Sequence, residues 1–117
     1  MDKWTLKYKT KCYNCGEVAD QIIEIYPNQA FVKCSNCGAT RYYILKKVWV
    51  DSDNIIEIEK NKKGKYDNWV LEKDVECYNC GKYAPQDILI TDSGMYVRCR
   101  NCGFTRYYTF HMMDVGH

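Results

Sequence analysis

Cys34-Ser35-Asn36-Cys37-Gly38-Ala39-Thr40-Arg41-Tyr42-Tyr43 puts two cysteines on one tight turn, ends the turn in glycine and runs directly into a strand of β-favouring residues. The stretch returns as Cys99-Arg100-Asn101-Cys102-Gly103-Phe104-Thr105-Arg106-Tyr107-Tyr108. Each copy is preceded by another such turn, Cys12-Tyr13-Asn14-Cys15-Gly16 and Cys77-Tyr78-Asn79-Cys80-Gly81, so all 8 cysteines lie in C-x-N-C-G units. Glycine at the end of such a turn supplies a positive φ at no steric cost, and asparagine is a turn-tolerant neighbour.

One constant offset relates the two halves. Shifting by 65 residues superimposes every cysteine and also pairs Trp4 with Trp69, Leu6 with Leu71, Gln21 with Gln86, Ile23 with Ile88 and Val32 with Val97; 21 of the 44 positions in 2–45 match 67–110 without a gap. The chain is an internal duplication.

Within each half, Trp4, Leu6 and Tyr8 alternate with polar residues, as a half-buried strand does, and lead into the first cysteine turn. Gln21–Tyr26 and Ala30–Lys33 flank the turn-prone Pro27-Asn28-Gln29, which predicts a hairpin, and Thr40–Leu45 predicts a strand after the second turn. The second half repeats the pattern. Between the halves, Val48-Trp49-Val50 and Ile55–Glu59 flank Asp51-Ser52-Asp53-Asn54, which predicts another hairpin, followed by the charged linker Lys60–Lys65. No segment carries a sustained helical period. The expected organisation is 1–47 as a first unit, 48–65 as hairpin and linker, and 66–117 as a second unit.

Units of this size rarely bury enough apolar surface to fold unaided and usually carry a staple. The spacing within each half, C-x2-C, then 18 residues, then C-x2-C, is that of a metal site. Two thiolates on one turn can share an ion, and a second turn at the other end of a hairpin completes a tetrahedron. The ligands are therefore Cys12, Cys15, Cys34 and Cys37 in the first half and Cys77, Cys80, Cys99 and Cys102 in the second. Metal-bound thiolates also alter the charge: the formal +2 counts thiols as neutral, and two tetrathiolate sites each holding a divalent ion bring the chain to +2 − 4 = −2.

These knuckles make the sequence resemble the zinc ribbon family, here in tandem, over residues 3–45 and 68–110. The resemblance implies a small, metal-stabilised, all-β fold: two tandem three-stranded antiparallel zinc ribbons with an intervening β-hairpin, holding two Zn2+ ions, one per repeat. The knuckles are also similar to those of rubredoxins, which hold iron, but they lack the proline of that family, and the segment between them is shorter. Four thiolates close the coordination shell and leave no position for an activated water, so zinc hydrolysis is not expected. No βαβ pattern supports a thioredoxin-like use of the C-x-x-C pairs. His111 and His117 have no paired acid or nucleophile at informative spacing, and Glu24, Glu57, Glu59, Asp74 and Glu76 read as a solvated sheet face. No enzyme and no small-molecule substrate is expected.

In a strand, Arg41 and Tyr43 share one face and Tyr42 takes the other. Arg41 and Tyr43, with Arg106 and Tyr108 in the second copy, are therefore candidates for exposed partner contact, aided by Lys33, Arg98, Arg100 and Trp49; the alternative is that each arginine stacks on a tyrosine or bridges to a strand acid to complete the fold, and that Trp49 joins the core. Residues 1–47 carry eight basic and four acidic side chains and residues 66–117 five and seven, so the chain is polarised rather than uniformly basic. Three functions follow: a non-catalytic adaptor or accessory subunit on a larger protein or ribonucleoprotein assembly, a zinc ribbon binding DNA or RNA directly, or a rubredoxin-like iron or thiol redox protein. The N-terminal residues are polar and no apolar run approaches the roughly 18 residues of a membrane span, so a cytoplasmic location without a membrane partner is expected.

Overall fold

Alternation of apolar and polar residues with period two is realised in eight strands of a computed structural model, which describes residues 3–62, 64 and 67–115, with side chains of the last strand described as far as His111. The first repeat forms β1 (Trp4–Lys11), β2 (Val18–Ile25), β3 (Gln29–Cys34) and β4 (Ala39–Val50); the second forms β5 (Trp69–Glu76), β6 (Tyr83–Ile90), β7 (Gly94–Cys99) and β8 (Phe104–Val115). Between them lies one short helix, α1 (Ile55–Glu59). The molecule is small and nearly all β, with two groups of four cysteines.

Each repeat therefore has four strands, where three were expected. The strand before the first knuckle pairs with the next over its whole length, Trp4 opposite Ile25 through Lys11 opposite Val18, and Trp69 opposite Ile90 through Glu76 opposite Tyr83. It is a full member of the sheet because its alternation supplies an inward row, buried at Trp4 and Trp69 and half-buried beyond them.

Two compact units are present, Met1–Leu45 with Phe110–His117, and Lys46–Thr109. The last strand of each repeat is thus divided between them. In the first unit the order is β1-β2-β3-β4 with the end of β8 beside β4, where the Tyr43 and Phe110 rings stand 5.7 Å apart. In the second the order is β5-β6-β7-β8 with the end of β4 beside β8, and Asp51 N donates to Gly103 O at 2.7 Å.

The core of the first unit is one sheet face. Trp4, Ile25, Ala30 and Tyr43 are successive partners across four strands, as are Leu6, Ile23, Val32 and Arg41. All but Leu6 are buried. The second unit repeats these rows as Trp69, Ile90, Met95 and Tyr108, and Leu71, Ile88, Val97 and Arg106.

The predicted hairpin between the repeats is absent. Val48-Trp49-Val50 ends β4, and Ile55–Glu59 is helical. Asp51 decides this: its carboxylate accepts from Asp53 N at 2.9 Å and Ile55 N at 2.6 Å, while Asn54, in the left-handed region at φ 56°, accepts from Glu57 N. Those bonds satisfy N–H groups at a helix start, which a strand would need to pair laterally. Ile56 is buried, and α1 lies against β6. Of the expected linker, Lys60–Lys62 continue the chain from α1 as a turn, whereas Lys63 and Lys65 lie outside the described residues, as does His117.

Candidate metal centres

The knuckles bring the four cysteines of each repeat together. In each group all four sulfurs lie within 4.8 Å of one another. Cys12 Sγ is 3.8 Å from Cys37 Sγ and Cys15 Sγ 4.0 Å from Cys34 Sγ; Cys77 Sγ is 3.7 Å from Cys102 Sγ. A tetrahedron with metal–sulfur bonds of about 2.3 Å has edges of about 3.8 Å, so the spacing fits one four-coordinate ion per group. It is far too long for a disulfide, whose sulfurs stand about 2.05 Å apart.

Each knuckle is built the same way. The glycine N–H returns to the first cysteine's carbonyl, as from Gly38 to Cys34 at 2.9 Å and from Gly81 to Cys77 at 3.0 Å. All four of these glycines have positive φ, 73° to 78°, as the sequence predicts. The turn aims backbone N–H groups at sulfur: Asn14 N donates to Cys12 Sγ and Asn79 N to Cys77 Sγ, both at 3.3 Å.

Sequence reasoning missed a second set of donors. The asparagine of every C-x-N-C unit reaches across to the opposite knuckle: Asn14 Nδ2 to Cys37 Sγ at 3.6 Å, Asn36 to Cys15 at 3.6 Å, Asn79 to Cys102 at 3.7 Å and Asn101 to Cys80 at 3.5 Å. Gln21 and Gln86, both buried, add amide donors to Cys34 and Cys99. The signal was present, since an asparagine in all four knuckles and a glutamine in both hairpins exceed what a turn requires.

The thiols respond to these surroundings. Burial pushes Cys12 up to about 11 and Cys77 up to about 12. Burial also raises Cys34, but N–H donors from Cys37 and Asn36 and the Gln21 amide outweigh it and bring the thiol down to about 6. Cys80 falls to about 6 through the Lys82 N–H and Asn101. Each group thus holds one buried sulfur whose thiol is favoured, Cys12 or Cys77, beside sulfurs such as Cys34 and Cys80 whose donors favour thiolate, the form that binds metal.

Of the two roles expected for the Thr-Arg-Tyr-Tyr strand, exposed contact and completion of the fold, its arginine and second tyrosine take the latter. Arg41, Tyr43, Arg106 and Tyr108 lie on the buried face, and both tyrosines are completely inaccessible. The Arg41 guanidinium lies 4.3 Å above the ring of Tyr13, and Arg106 4.7 Å above that of Tyr78, so each arginine ties its last strand to the first knuckle. Arg106 Nη1 donates to Tyr108 OH at 2.7 Å, and burial lowers the Arg106 pKa from its ordinary value. Thr40 and Thr105 hydroxyls donate to the carbonyls of Gly38 and Gly103, closing the second knuckle. The alternation was read correctly, but for exposed contact the faces were reversed, because a flat guanidinium can be buried where a ring covers it.

The other expected contact residues divide. Lys33 is exposed. Arg98 is mostly buried against Asp51, donating from Nη2 to its carbonyl at 2.9 Å, and Arg100 joins Glu72 and Asp87 at 2.5 Å. Trp49 is half-buried, with Lys47 Nζ 4.8 Å from its ring centre. His111 is exposed. Among the described residues no helix is long and apolar enough to cross a membrane.

Fold and sites define a small, nearly all-β protein with two candidate metal centres, each of four cysteines. The chain is 64% identical over 115 residues to the uncharacterized protein MJ1158 of Methanocaldococcus jannaschii, a match covering 98% of this chain and 89% of the relative, and belongs to the same family. No family model matches the sequence, and no solved structure matches it.

Proposed function

We propose that the chain is a non-catalytic, zinc-stapled adaptor or accessory subunit of the zinc ribbon type, docking on a larger protein or ribonucleoprotein assembly. The closed character of the cysteine groups supports this reading best. Each set of four sulfurs faces inward on itself and on amide donors, an arrangement suited to a structural ion. Two stapled sheets then serve as rigid display surfaces, and their outward faces differ in charge. Zinc is the metal that four thiolates in a tetrahedron favour, and the protein should be colourless with two ions per chain. A red, redox-active protein would point to the rubredoxin-like alternative.

The test is affinity purification from native lysate, with and without nuclease, followed by metal analysis. A discrete protein partner that survives nuclease, together with two zinc ions per chain, is the expected result. Monomeric recovery without any partner in both arms would overturn the adaptor reading. Direct nucleic-acid binding is the second reading, favoured by one observation: the outward face of the first unit carries exposed lysines around an aromatic cluster.

A further inference from the structure

The two repeats share a fold but not an outward face. On the first strands, Lys7, Lys9 and Lys11 of β1 are matched at the same positions by Glu72, Asp74 and Glu76 of β5, and all six are exposed. Further across the sheet the face of the second unit is occupied by its own chain. Helix α1 lies against β6, Leu89 and Thr105 are fully buried, and Arg98 and Arg100 are engaged by Asp51, Glu72 and Asp87.

In the first unit Glu24 and Thr40, at the positions of the fully buried Leu89 and Thr105, are half-buried, whereas the stacked aromatic pair is half-buried in both units, Phe31 with Tyr42 and Tyr96 with Tyr107. Ile22, Phe31 and Tyr42 are half-buried, and a groove of about 410 Å³ is lined by Ile22, Glu24, Phe31, Lys33 and Thr40. Phe31 stacks on Tyr42 with ring centres 5.0 Å apart, and Tyr26 stands edge-on to Phe31 at 6.0 Å. Among the described residues Lys7, Lys9, Lys11 and Lys33 form no ion pair, whereas the acid nearest the rings, Glu24, is held by Lys3 at 2.9 Å. Alternate residues of a strand recur about every 6.7 Å, so β1 offers a comb of ammonium groups at a repeat comparable with successive phosphates on an extended strand.

We propose that this face of the first unit binds single-stranded nucleic acid, with bases stacking on Phe31 and Tyr42 and the phosphates running along Lys7, Lys9, Lys11 and Lys33. The proposal rests on the reading of the chain as a non-catalytic binding protein and names one ligand and its site. Aromatic rings on a sheet reach bases only when these are unstacked, and stacking is tolerant of sequence. The lysines supply the phosphate attraction and its salt dependence. An acidic peptide would use the lysines but gain nothing specific from the rings.

The test uses the full metal-loaded chain and fluorescence anisotropy with a labelled 12-nucleotide single strand, its duplex and polyglutamate as competitor. Single strand is expected to bind more tightly than duplex, with a log–log salt slope of about −2 to −3 for three or four phosphate contacts. Phe31→Leu is expected to weaken it about tenfold, and Lys7→Glu with Lys33→Glu to weaken it further and to flatten the slope by about 1.4. The proposal is overturned if no single strand binds at low salt, if duplex is preferred, or if the variants bind as wild type does. Displacement by polyglutamate with no response to Phe31→Leu would instead assign the face to a protein. Metal content is measured on every variant: loss of both ions signals failure of the stapled fold, whereas a two-metal protein that ignores the oligonucleotide defeats only this proposal.

Discussion

Asp51→Ala should loosen the second unit markedly. Its carboxylate accepts two backbone N–H bonds at the start of α1, at 2.6 and 2.9 Å, and lies 3.3 Å from Arg98 Nε, a charge contact rather than an aligned hydrogen bond. Each capping bond is worth about 1 kcal/mol. Removing one member of a buried ion pair costs about 3 to 5 kcal/mol, but Arg98 keeps its bond to the Asp51 carbonyl, so about 1 to 2 is the fitting share here. The total is about 3 to 4 kcal/mol, or a fall in Tm of roughly 12 to 30 °C for a domain of this size. Asp51→Asn, which keeps one accepting oxygen, should lose about half as much.

The pH dependence of that difference follows from the same contacts. Burial pushes the Asp51 carboxyl up, but the Ile55 and Asp53 N–H groups and Arg98 together outweigh it and hold it below its ordinary value. A carboxyl depressed in the folded state stabilises fully above its unfolded value, about 3.9, and that contribution is lost as pH falls through the lower folded value. The gap between wild type and Asp51→Ala, measured by thermal melts at each pH where metal analysis shows both proteins still loaded, should therefore stay constant from neutrality down to the acid end of that range. Melting within about 2 °C of wild type, or a gap that closes within that range, would refute the reasoning.

Complete chelation, or Cys37→Ser, should unfold at least the first unit, since ion binding in such small sheets is of order 10 kcal/mol of folding free energy; a dispersed NMR spectrum from metal-free protein would defeat the structural-metal reading. Asn36→Ala with Asn101→Ala removes one cross-knuckle donor per centre and should weaken zinc binding about 10- to 100-fold in a chelator competition, with tight wild-type affinity as the contrary result. Zinc affinity should fall at least tenfold between pH 7.5 and 6, because ligation displaces protons from thiols such as Cys12 and Cys77, which burial pushes up to about 11 and about 12. Thiolates held by metal stabilise most above the free thiol range and lose that contribution as pH falls; an affinity flat across this range would count against thiolate ligation.

The cysteine spacing and the offset of 65 made the two centres legible, because a tetrahedron of thiolates imposes a fixed separation that sequence records directly. Strand alternation was equally readable. It does not reveal which face is inward, however, and for Thr-Arg-Tyr-Tyr the decision rests on Tyr13 and Tyr78, distant in sequence and needed to cover a guanidinium. The intervening helix was misread for another reason. Ile55-Ile56-Glu57-Ile58-Glu59 alternates like a strand, yet Asn54 followed three residues later by Glu57 is a helix-start signal that outweighs so short an alternation. The partial burial of Trp49 and the engagement of Arg98 depend on the division of the long last strands, which no local pattern encodes.

That division bears on the order in which the protein can be made. A repeat emerging first from the ribosome already owns its four cysteines and can close around an ion. Yet Tyr43 packs against Phe110, and the first compact unit includes the chain from Phe110 onward. The N-terminal sheet therefore stays incomplete until the chain from Phe110 onward has been synthesised, and a cut between the repeats yields two fragments that each lack a strand end. Duplication produced two copies of a sequence, but neither copy is by itself a finished unit.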